Sequence, residues 1–279
     1  MKRFPKVTVV TVCYNCCDVI ERTMLNVLRQ TYPNLEYIVI DGASTDGTRD
    51  IVARYADRLD YWLSESDKGI YDAMNKGIRA ASGEWIIFRN AGDYFFKPTT
   101  VEDVFRWYED KGETFIVGGT RCFGTNGYRD KFYNAQYAEV WHCAYISHPS
   151  TFIRQSVQKN NYYSCAYRIA SDYRFFQKLI LENAAMVLYD GIVSLFDCES
   201  GISTTHLSQS WKEMLMIRKE LGAPDNIIKE TRKKYLRTKI FCLFSMIMKR
   251  SAWIRRLYSK SHQSEGWIWQ SMDMTLKDI

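Results

Sequence analysis

Two kinds of hydrophobic pattern alternate along the first two hundred residues. Short β-branched or aromatic runs, KVTVVTVC at 6–13 and YIVI at 37–40, predict buried strands. Between them, apolar residues recur at helical spacing over 18–31 and predict an amphipathic helix. Alternation of strand and helix is typical of an α/β protein. We therefore expect a Rossmann-like, mostly parallel central sheet flanked by helices.

The same pattern continues and then loosens. The sequence predicts a short strand near 61–63, a helix over 71–81 and a strand over 84–88. A Thr99–Glu102 capping box then predicts a helix to about 110, followed by a strand over 115–117 and a hairpin or loop over 118–130. Further along, the sequence predicts a helix over 171–182 and a paired strand and turn over 186–196.

Acidic side chains follow the predicted strands at their ends. Asp41 and Asp46 come after the second strand, and Asp93 comes after the strand at 84–88. Ligands of open α/β sheets bind beyond the carboxyl ends of the strands. The sequence therefore places these acids at a candidate ligand crevice.

Length and composition narrow the setting. A chain of 279 residues, 46% of them hydrophobic, can bury one large core with or without an appendage. Its eight cysteines lack disulfide-scaffold or zinc spacing, which indicates a reducing compartment. The N-terminal stretch indicates a first strand and not a signal peptide, and no apolar run reaches a membrane-spanning length. These features predict a cytoplasmic protein.

Each polar motif also has an ordinary structural interpretation. DGASTDGT at 41–48 and NAGD at 90–93 are good turn and cap sequences. Asp172, in the first turn of a predicted helix, could have no role beyond stabilising the helix dipole, and His148 before Pro149 could be an ordinary loop histidine. Together, however, acids at several strand ends and one helix start suit a nucleotide diphosphate and a divalent cation.

Six segments, in order and spacing, resemble the inverting nucleotide-sugar glycosyltransferases of family 2, which have the GT-A fold. The resemblance covers residues 6 to about 201. Its carrying segments are VTVVTVCYN (7–15), IVIDGASTDGT (38–48), SDKGIYDAMNKGI (66–78), GEWIIFRNAGD (83–93), HPSTFIR (148–154) and IASDYRFFQKL (169–179).

The resemblance implies a nucleotide site. Tyr14 and Asn15 would line the base pocket, and Asp41 would bind the nucleoside. Many relatives carry a second acid directly after that position, where this chain has Gly42. Asp67 and Lys68 would lie along the nucleotide.

The resemblance also implies a metal and a catalytic base. The metal motif of the family commonly ends in two adjacent acids; here Gly92 replaces the first, and Asp93 remains to bind Mg²⁺ or Mn²⁺. Asn90, often acidic in relatives, is expected on the nucleotide side. Asp172 matches the general base, and His148 matches a histidine on the acceptor or diphosphate side.

The positive charge is concentrated in the C-terminal part. Residues 206–279 hold 15 Lys and Arg against 7 Asp and Glu, whereas residues 1–205 hold 23 against 25. We expect a catalytic domain over 1–205, with a nucleotide-binding part over about 1–95 and an acceptor part over 96–205, followed by a basic helical extension. Segment 229–260 predicts either contact with an anionic membrane surface, which would make the protein peripheral on the inner face of the membrane, or a helical cap with a solvated basic face. No nucleic-acid motif accompanies the charge.

The resulting hypothesis is an inverting glycosyltransferase. It would move a hexosyl or N-acetylhexosaminyl group from a nucleotide sugar, expected to be a UDP-sugar, to a hydroxyl of a glycan or lipid-linked glycan in bacterial surface-polysaccharide assembly. Two alternatives stay open: a nucleotidyltransferase, and a nucleotide- or carbohydrate-binding module that has lost catalysis. The strand-end acids argue against a glycoside hydrolase, which needs a flanking carboxylate pair and no nucleotide pocket.

Overall fold

The computed structural model describes residues 4–124, 127–133, 141, 146–197, 201 and 205–248, the last six as backbone only. Nine strands of this part form one sheet. They are β1 (Val7–Cys13), β2 (Leu35–Asp41), β3 (Tyr61–Ser64), β4 (Trp85–Phe88), β5 (Tyr94–Phe95), β6 (Phe115–Gly124), β7 (Gly127–Lys131), β8 (Thr151–Arg154) and β9 (Met186–Asp197). The strand order is β3-β2-β1-β4-β8-β6-β9-β5, and β7 pairs with β6.

The expected α/β fold is confirmed, but the sheet is mixed. Strands β3, β2, β1 and β4 are parallel to one another. Strand β8 then runs antiparallel to both β4 and β6. The reversal follows from connectivity, because a 3₁₀ turn at His148–Ser150 delivers β8 to the edge where β4 ends.

The described part of the chain contains eight α-helices, and those before residue 182 cover both faces of the sheet. The eight helices are α1 (Cys17–Leu28), α2 (Thr48–Ala53), α3 (Ile70–Ala80), α4 (Thr100–Trp107), α5 (Gln155–Asn160), α6 (Ser171–Leu181), α7 (Leu207–Glu220) and α8 (Asp225–Met248). Strand β1 is buried throughout and divides its side chains between two cores, one built with α1, α2 and α4 and the other with α3 and α6. Burial on both faces explains why the strand reads as a continuous apolar run.

Three local predictions are corrected. The Thr99–Glu102 capping box does not form, because Glu102 instead accepts hydrogen bonds from Thr31 and Arg106. Strand β6 extends well past residue 117, since its second half pairs with β7 in the expected hairpin. Segment 186–197 is one continuous strand, which pairs with β6 and β5 and not with itself.

The described part of the C-terminal region is helical and packs on the rest of the protein. Met214 and Ile217 of α7 form a small core with Tyr167 and Ala170. In α8, Ile227 and Thr231 are buried, whereas the later Leu236 and Ile240 are exposed. Within the described residues no helix has the length and hydrophobicity needed to cross a bilayer. Residues 249–260 of the basic segment lie outside the described residues.

Candidate active site

The carboxyl ends of β1, β2, β3 and β4 meet at one edge of the sheet because these strands are adjacent and parallel. Side-chain hydrogen bonds join the loops after β1 and β2. The Asn15 N–H donates to Ser44 Oγ at 2.8 Å, and the Thr45 N–H donates to Asn15 Oδ1 at 2.9 Å. Asn15 itself has φ 45°, a left-handed conformation that asparagine tolerates well. These hydrogen bonds hold the loops after β1 and β2 together, and we call the pair of loops the rim of the site.

Asp41 and Asp46 organise this rim. Asp41 is fully buried and accepts hydrogen bonds from the Ser44 N–H at 3.1 Å and from the Ser44 and Ser64 hydroxyls at 2.5 and 2.6 Å. Asp46 accepts from the Cys17 N–H at 3.0 Å and from the backbone and hydroxyl of Thr48. These donors hold the pKa of Asp46 well below its usual range. Both carboxylates are engaged within the protein.

Tyr14, Asp67 and Lys68 lie at the same edge with more access to solvent. The Tyr14 side chain is 64% exposed. Asp67 follows β3 and is half-buried, with Oδ1 accepting the Gly69 N–H at 2.8 Å. Lys68 is exposed, and its ammonium forms no ion pair with the residues that the structure describes. These three side chains are open to a ligand.

The segment NAGD forms a tight turn directly after β4. The Asp93 N–H donates to the Asn90 carbonyl at 2.8 Å, and Gly92 has φ 97°. Since side chains are strained at that φ, the turn itself favours glycine where relatives carry a companion acid. The turn points the next carboxylate, that of Asp93, into the protein.

Asp93 is buried beside a buried cation. Burial raises the pKa of the Asp93 carboxyl to about 7, and the charge of Arg89 and a backbone hydrogen bond from Asn90 oppose the rise. Asn90 Oδ1 is also buried and makes no hydrogen bond within the described chain. A desolvated carboxylate and an orphaned amide oxygen are both hard oxygen donors of the kind that Mg²⁺ and Mn²⁺ accept.

The described residues contain no cluster of three or more His, Cys, Asp or Glu side chains that could hold a metal unaided. Such a cluster is not needed for an ion that keeps water ligands and also binds phosphate oxygens, since one or two protein carboxylates then suffice. The donor set around Asp93 therefore fits a metal carried with a diphosphate.

Asp172 is joined to the strand-end loops through Tyr71. Its Oδ1 accepts the Tyr71 hydroxyl at 2.8 Å and the Tyr173 N–H at 2.9 Å. Tyr71 belongs to the first turn of α3, directly after the loop that carries Asp67 and Lys68. Burial, reinforced by the charge of Asp172, raises the pKa of Tyr71 well above its usual range, so the phenol stays a donor, and its O–H is shared between Asp172 Oδ1 and the Ile169 carbonyl at 2.6 Å.

His148 lies deeper than a loop histidine. It is 6% exposed, its ring stacks on Phe88 at 4.9 Å, and its Nε2 is 2.8 Å from the Tyr163 hydroxyl. Burial lowers the pKa of His148, the Arg89 charge adds to this, and the Asp172 charge opposes it. The imidazole is therefore neutral at pH 7, and it lies close enough to Arg89 and Asp172 for both charges to affect its pKa.

A cavity of about 350 Å³ opens beside Tyr71. It is lined by the start of α3 and by the loop before α6, namely Lys68, Gly69, Ile70, Tyr71, Asp72, Cys165, Ala166, Tyr167 and Arg168. Two cations and several hydrogen-bonding groups line a space large enough for a sugar unit. A wider depression of about 670 Å³ along β3 contains none of the candidate site residues.

The sequence model of glycosyl transferase family 2 matches residues 8–175. This span contains every candidate site residue named above. The chain belongs to glycosyl transferase family 2. It is a transferase enzyme, and the match favours glycosyl transfer over the nucleotidyl transfer and decayed-module alternatives.

Relatives named as glycosyltransferases match this chain, and a solved structure has the same fold. A glycosyltransferase of Mycobacterium tuberculosis is 32% identical over 186 residues, 65% of this chain and 71% of its own. The Bacillus subtilis protein TuaG, a putative teichuronic acid biosynthesis glycosyltransferase, is 34% identical over 130 residues, 44% of this chain and 47% of its own. The structure of Staphylococcus aureus TarS with UDP-GlcNAc superposes with a TM-score of 0.65 at 20% identity, covering 82% of this chain and 72% of TarS.

Three residues that the structure places at or behind this candidate site were missed by sequence reasoning. Arg89 is fully buried, with its guanidinium 3.8 Å from the Phe95 ring centroid and its Nη1 donating to the Phe88 and Pro149 carbonyls. An arginine ending an apolar strand was a visible signal. Tyr71 carried a weaker signal, as an aromatic residue at a helix start. Glu213 carried none, because it belongs to a distant helix.

Glu213 supports the loop that precedes Asp172. It is 3% exposed, and its carboxylate accepts the successive N–H groups of Arg168, Ile169 and Ala170 at 3.0, 2.8 and 2.9 Å. Helix α7 therefore supports the loop that leads into Asp172, the candidate general base.

Proposed function

We propose that the protein is an inverting, metal-assisted glycosyltransferase that moves a sugar from a UDP-sugar to a hydroxyl of a glycan or lipid-linked glycan. The observation that carries the proposal is the hydrogen bond between Tyr71 and Asp172. It joins the candidate base to the edge of the sheet that also presents Asp67, Lys68 and the NAGD turn.

The donor proposal draws on ligands of structural neighbours. TarS is described with UDP and with UDP-GlcNAc, glucosyl-3-phosphoglycerate synthase of M. tuberculosis with UDP and Mn²⁺, and a mannosyltransferase of Pyrobaculum calidifontis with GDP-Man and Mn²⁺. In this chain Tyr14, Asn15, Asp41, Asp67, Lys68 and Asn90 would bind the nucleotide. Asp41 would act mainly by fixing the loops after β1 and β2, since its oxygens already accept four hydrogen bonds, one of them from the Cys13 thiol.

Asp93 and Asn90 would hold Mg²⁺ or Mn²⁺. When bound, the ion would neutralise charge that develops on the departing diphosphate. Asp93 must be ionised to bind it, and a pKa of about 7 means that a nearby cation would favour the ionised form. Arg89 contributes part of that positive field permanently.

Asp172 would act as the general base. An acceptor hydroxyl loses a proton as it attacks the anomeric carbon from the side opposite the leaving group, and a carboxylate within hydrogen-bond reach can take it. The Tyr71 hydroxyl and the Tyr173 N–H bind one carboxylate oxygen and leave the other for the acceptor. The neutral His148, held by Tyr163, would shape the acceptor or diphosphate side.

The acceptor would enter beside Tyr71, where the 350 Å³ cavity lies. Relatives named for teichuronic acid and PGL/p-HBAD biosynthesis support a surface glycan or glycolipid acceptor. We place the catalytic domain over 1–205, with nucleotide and acceptor parts meeting near residue 95, and the basic helical region over 206–279.

The basic region would contact an anionic membrane surface from the cytoplasmic side. Beyond Thr231, the exposed residues of α8 among those with described side chains are Arg232, Lys233, Lys234, Leu236, Arg237, Lys239, Ile240 and Phe241. Cations mixed with exposed apolar side chains suit the interfacial zone of anionic lipid. Sedimentation with vesicles of phosphatidylglycerol, but not of phosphatidylcholine alone, would support this; equal sedimentation by a variant with Arg232→Glu, Lys233→Glu and Arg237→Glu would refute it.

The catalytic proposal is tested by product analysis with UDP-sugars, Mn²⁺ and a lipid-linked glycan mixture. The wild type is expected to release UDP, whereas Asp172→Asn and Asp93→Ala should each lose at least ~10²-fold in rate. Asp93→Ala should also lose metal-dependent UDP binding, which Asp172→Asn should keep. Asp57→Asn, an exposed change in the turn before β3, is the matched control. Full turnover by both site variants would refute the mechanism.

A further inference from the structure

Gly42 follows β2 at a point where two side chains occupy the space that its own would need. A Cβ placed on Gly42 would lie 2.5 Å from Asp67 Oδ2 and 3.2 Å from Tyr14 Cδ2. The residue is buried, and its N–H donates to the Cys13 carbonyl at 2.9 Å. Because position 42 has no side chain, Asp67 Oδ2 and the edge of the Tyr14 ring both lie in the space beside it.

Asp67 Oδ2 is an unused acceptor. Oδ1 accepts the Gly69 N–H, but Oδ2 accepts no hydrogen bond from the residues that the structure describes. The neighbouring acids are all engaged: Asp41 with serines, Asp46 with Cys17 and Thr48, and Glu65 with Lys76. Next to Oδ2, the Tyr14 ring is 64% exposed. A flat open ring beside a free carboxylate oxygen fits a planar ligand with an N–H on its edge.

Resting on the proposed function, we propose that Asp67 selects the base of the donor. The uracil ring would pack against Tyr14 and donate its imide N–H to Asp67 Oδ2. Cytosine presents an unprotonated nitrogen at the corresponding position, and two acceptors facing each other repel. Guanine presents two adjacent donors and needs both carboxylate oxygens, one of which is committed to Gly69. The site therefore takes uridine diphosphates.

Asp67→Asn gives a signed test. The side-chain oxygen would keep the Gly69 N–H, so the amide NH₂ would stand where Oδ2 stands now. A donor at that place repels the uracil N–H and suits the cytosine nitrogen. We expect UDP affinity, measured by calorimetry with Mn²⁺, to fall roughly 10- to 100-fold. CDP affinity should rise, so that the UDP-to-CDP preference narrows or inverts.

A reciprocal exchange tests the position directly. Gly42→Asp would place a second carboxylate on Asp67 Oδ2 and is expected to lose UDP binding by repulsion and crowding. Gly42→Asp combined with Asp67→Ala removes the crowding and returns one carboxylate to the same space. The double variant should recover most of the UDP affinity that each single variant loses.

The control is Glu65→Gln, which removes an exposed carboxylate from the same loop and should leave the base preference unchanged. Thermal melts verify that each variant is folded. Unchanged UDP-to-CDP preference in Asp67→Asn, or no rescue by the double variant, would overturn the inference while leaving the proposed function intact. If the wild type binds no nucleoside diphosphate with Mn²⁺, the proposed function itself fails.

Discussion

Glu213 provides the most informative perturbation, because one buried carboxylate holds three consecutive backbone donors ahead of Asp172. In Glu213→Ala these N–H groups lose their acceptor. Arg168 is exposed and Ile169 half-buried, so water can replace the carboxylate there, but Ala170 is buried. One orphaned donor costs about 1–3 kcal/mol. Loss of the other charged hydrogen bonds brings the expected cost to ~2–4 kcal/mol.

That cost should appear both in stability and in catalysis. A loss of this size lowers the unfolding temperature by ~5–15 °C for a chain of this length. Since the freed loop leads directly into Asp172 in the first turn of α6, kcat at saturating donor should fall ~10- to 100-fold, with little change in the KM for the donor. Glu213→Gln keeps one acceptor oxygen and should be intermediate in both measurements.

Glu230→Gln is the matched control, since it removes a half-buried carboxylate that pairs with Lys234 on the next helix. It should change the unfolding free energy by less than ~0.5 kcal/mol and leave kcat unchanged. If Glu213→Ala melts and turns over like the wild type, the carboxylate does not hold the base loop and the reasoning is refuted.

Three further predictions concern other parts of the site and core. Tyr71→Phe removes the hydroxyl bond to Asp172, so kcat should fall roughly 10-fold at unchanged donor KM; an unchanged kcat in steady-state assays would contradict the orienting role. Because burial raises the pKa of Asp93 to about 7, the folded state holds a proton that the unfolded state releases above about pH 4. Without metal, wild-type stability should therefore fall relative to Asp93→Asn as the pH rises from 5 to 7, and parallel melting curves in EDTA would exclude this. Gly77→Ala places a Cβ 2.4 Å from Val10 Cγ1, so unfolding in urea should show a loss of ~1–3 kcal/mol despite the better helix propensity of alanine.

Much of the arrangement of the proposed nucleotide side could be predicted from the sequence. Asp41 ends β2 and Asp93 closes the turn after β4, and parallel pairing of β2, β1 and β4 brings these strand ends together without further information. The positions of strand ends follow from local hydrophobic runs, which are visible in one sequence. The composition of NAGD also predicts a turn at 90–93, and the φ of 97° at Gly92 agrees with it.

The acceptor side depended on tertiary contacts that periodicity does not encode. Tyr71 and Asp172 are separated by 101 residues in the chain, and Glu213 meets Ala170 across 43. The mixed pairing of β8 arose from a short turn at His148–Ser150, whose direction the sequence did not specify. The Thr99–Glu102 capping box did not form because Glu102 accepts a hydrogen bond from Thr31, which lies on another loop.

The hydrogen bonds from the loop before Asp172 to Glu213 of helix α7 limit where the sequences of homologous enzymes can be recombined. Hybrids that join the first 205 residues of one enzyme to the tail of another would pair a base loop with a foreign support. A crossover placed after Glu220 keeps Glu213 and its three backbone partners in the same parent, and also keeps the contacts of Glu220 with Tyr167 and Arg174. Recombination libraries of this fold should therefore tolerate exchange at the α7–α8 turn far better than at residue 205.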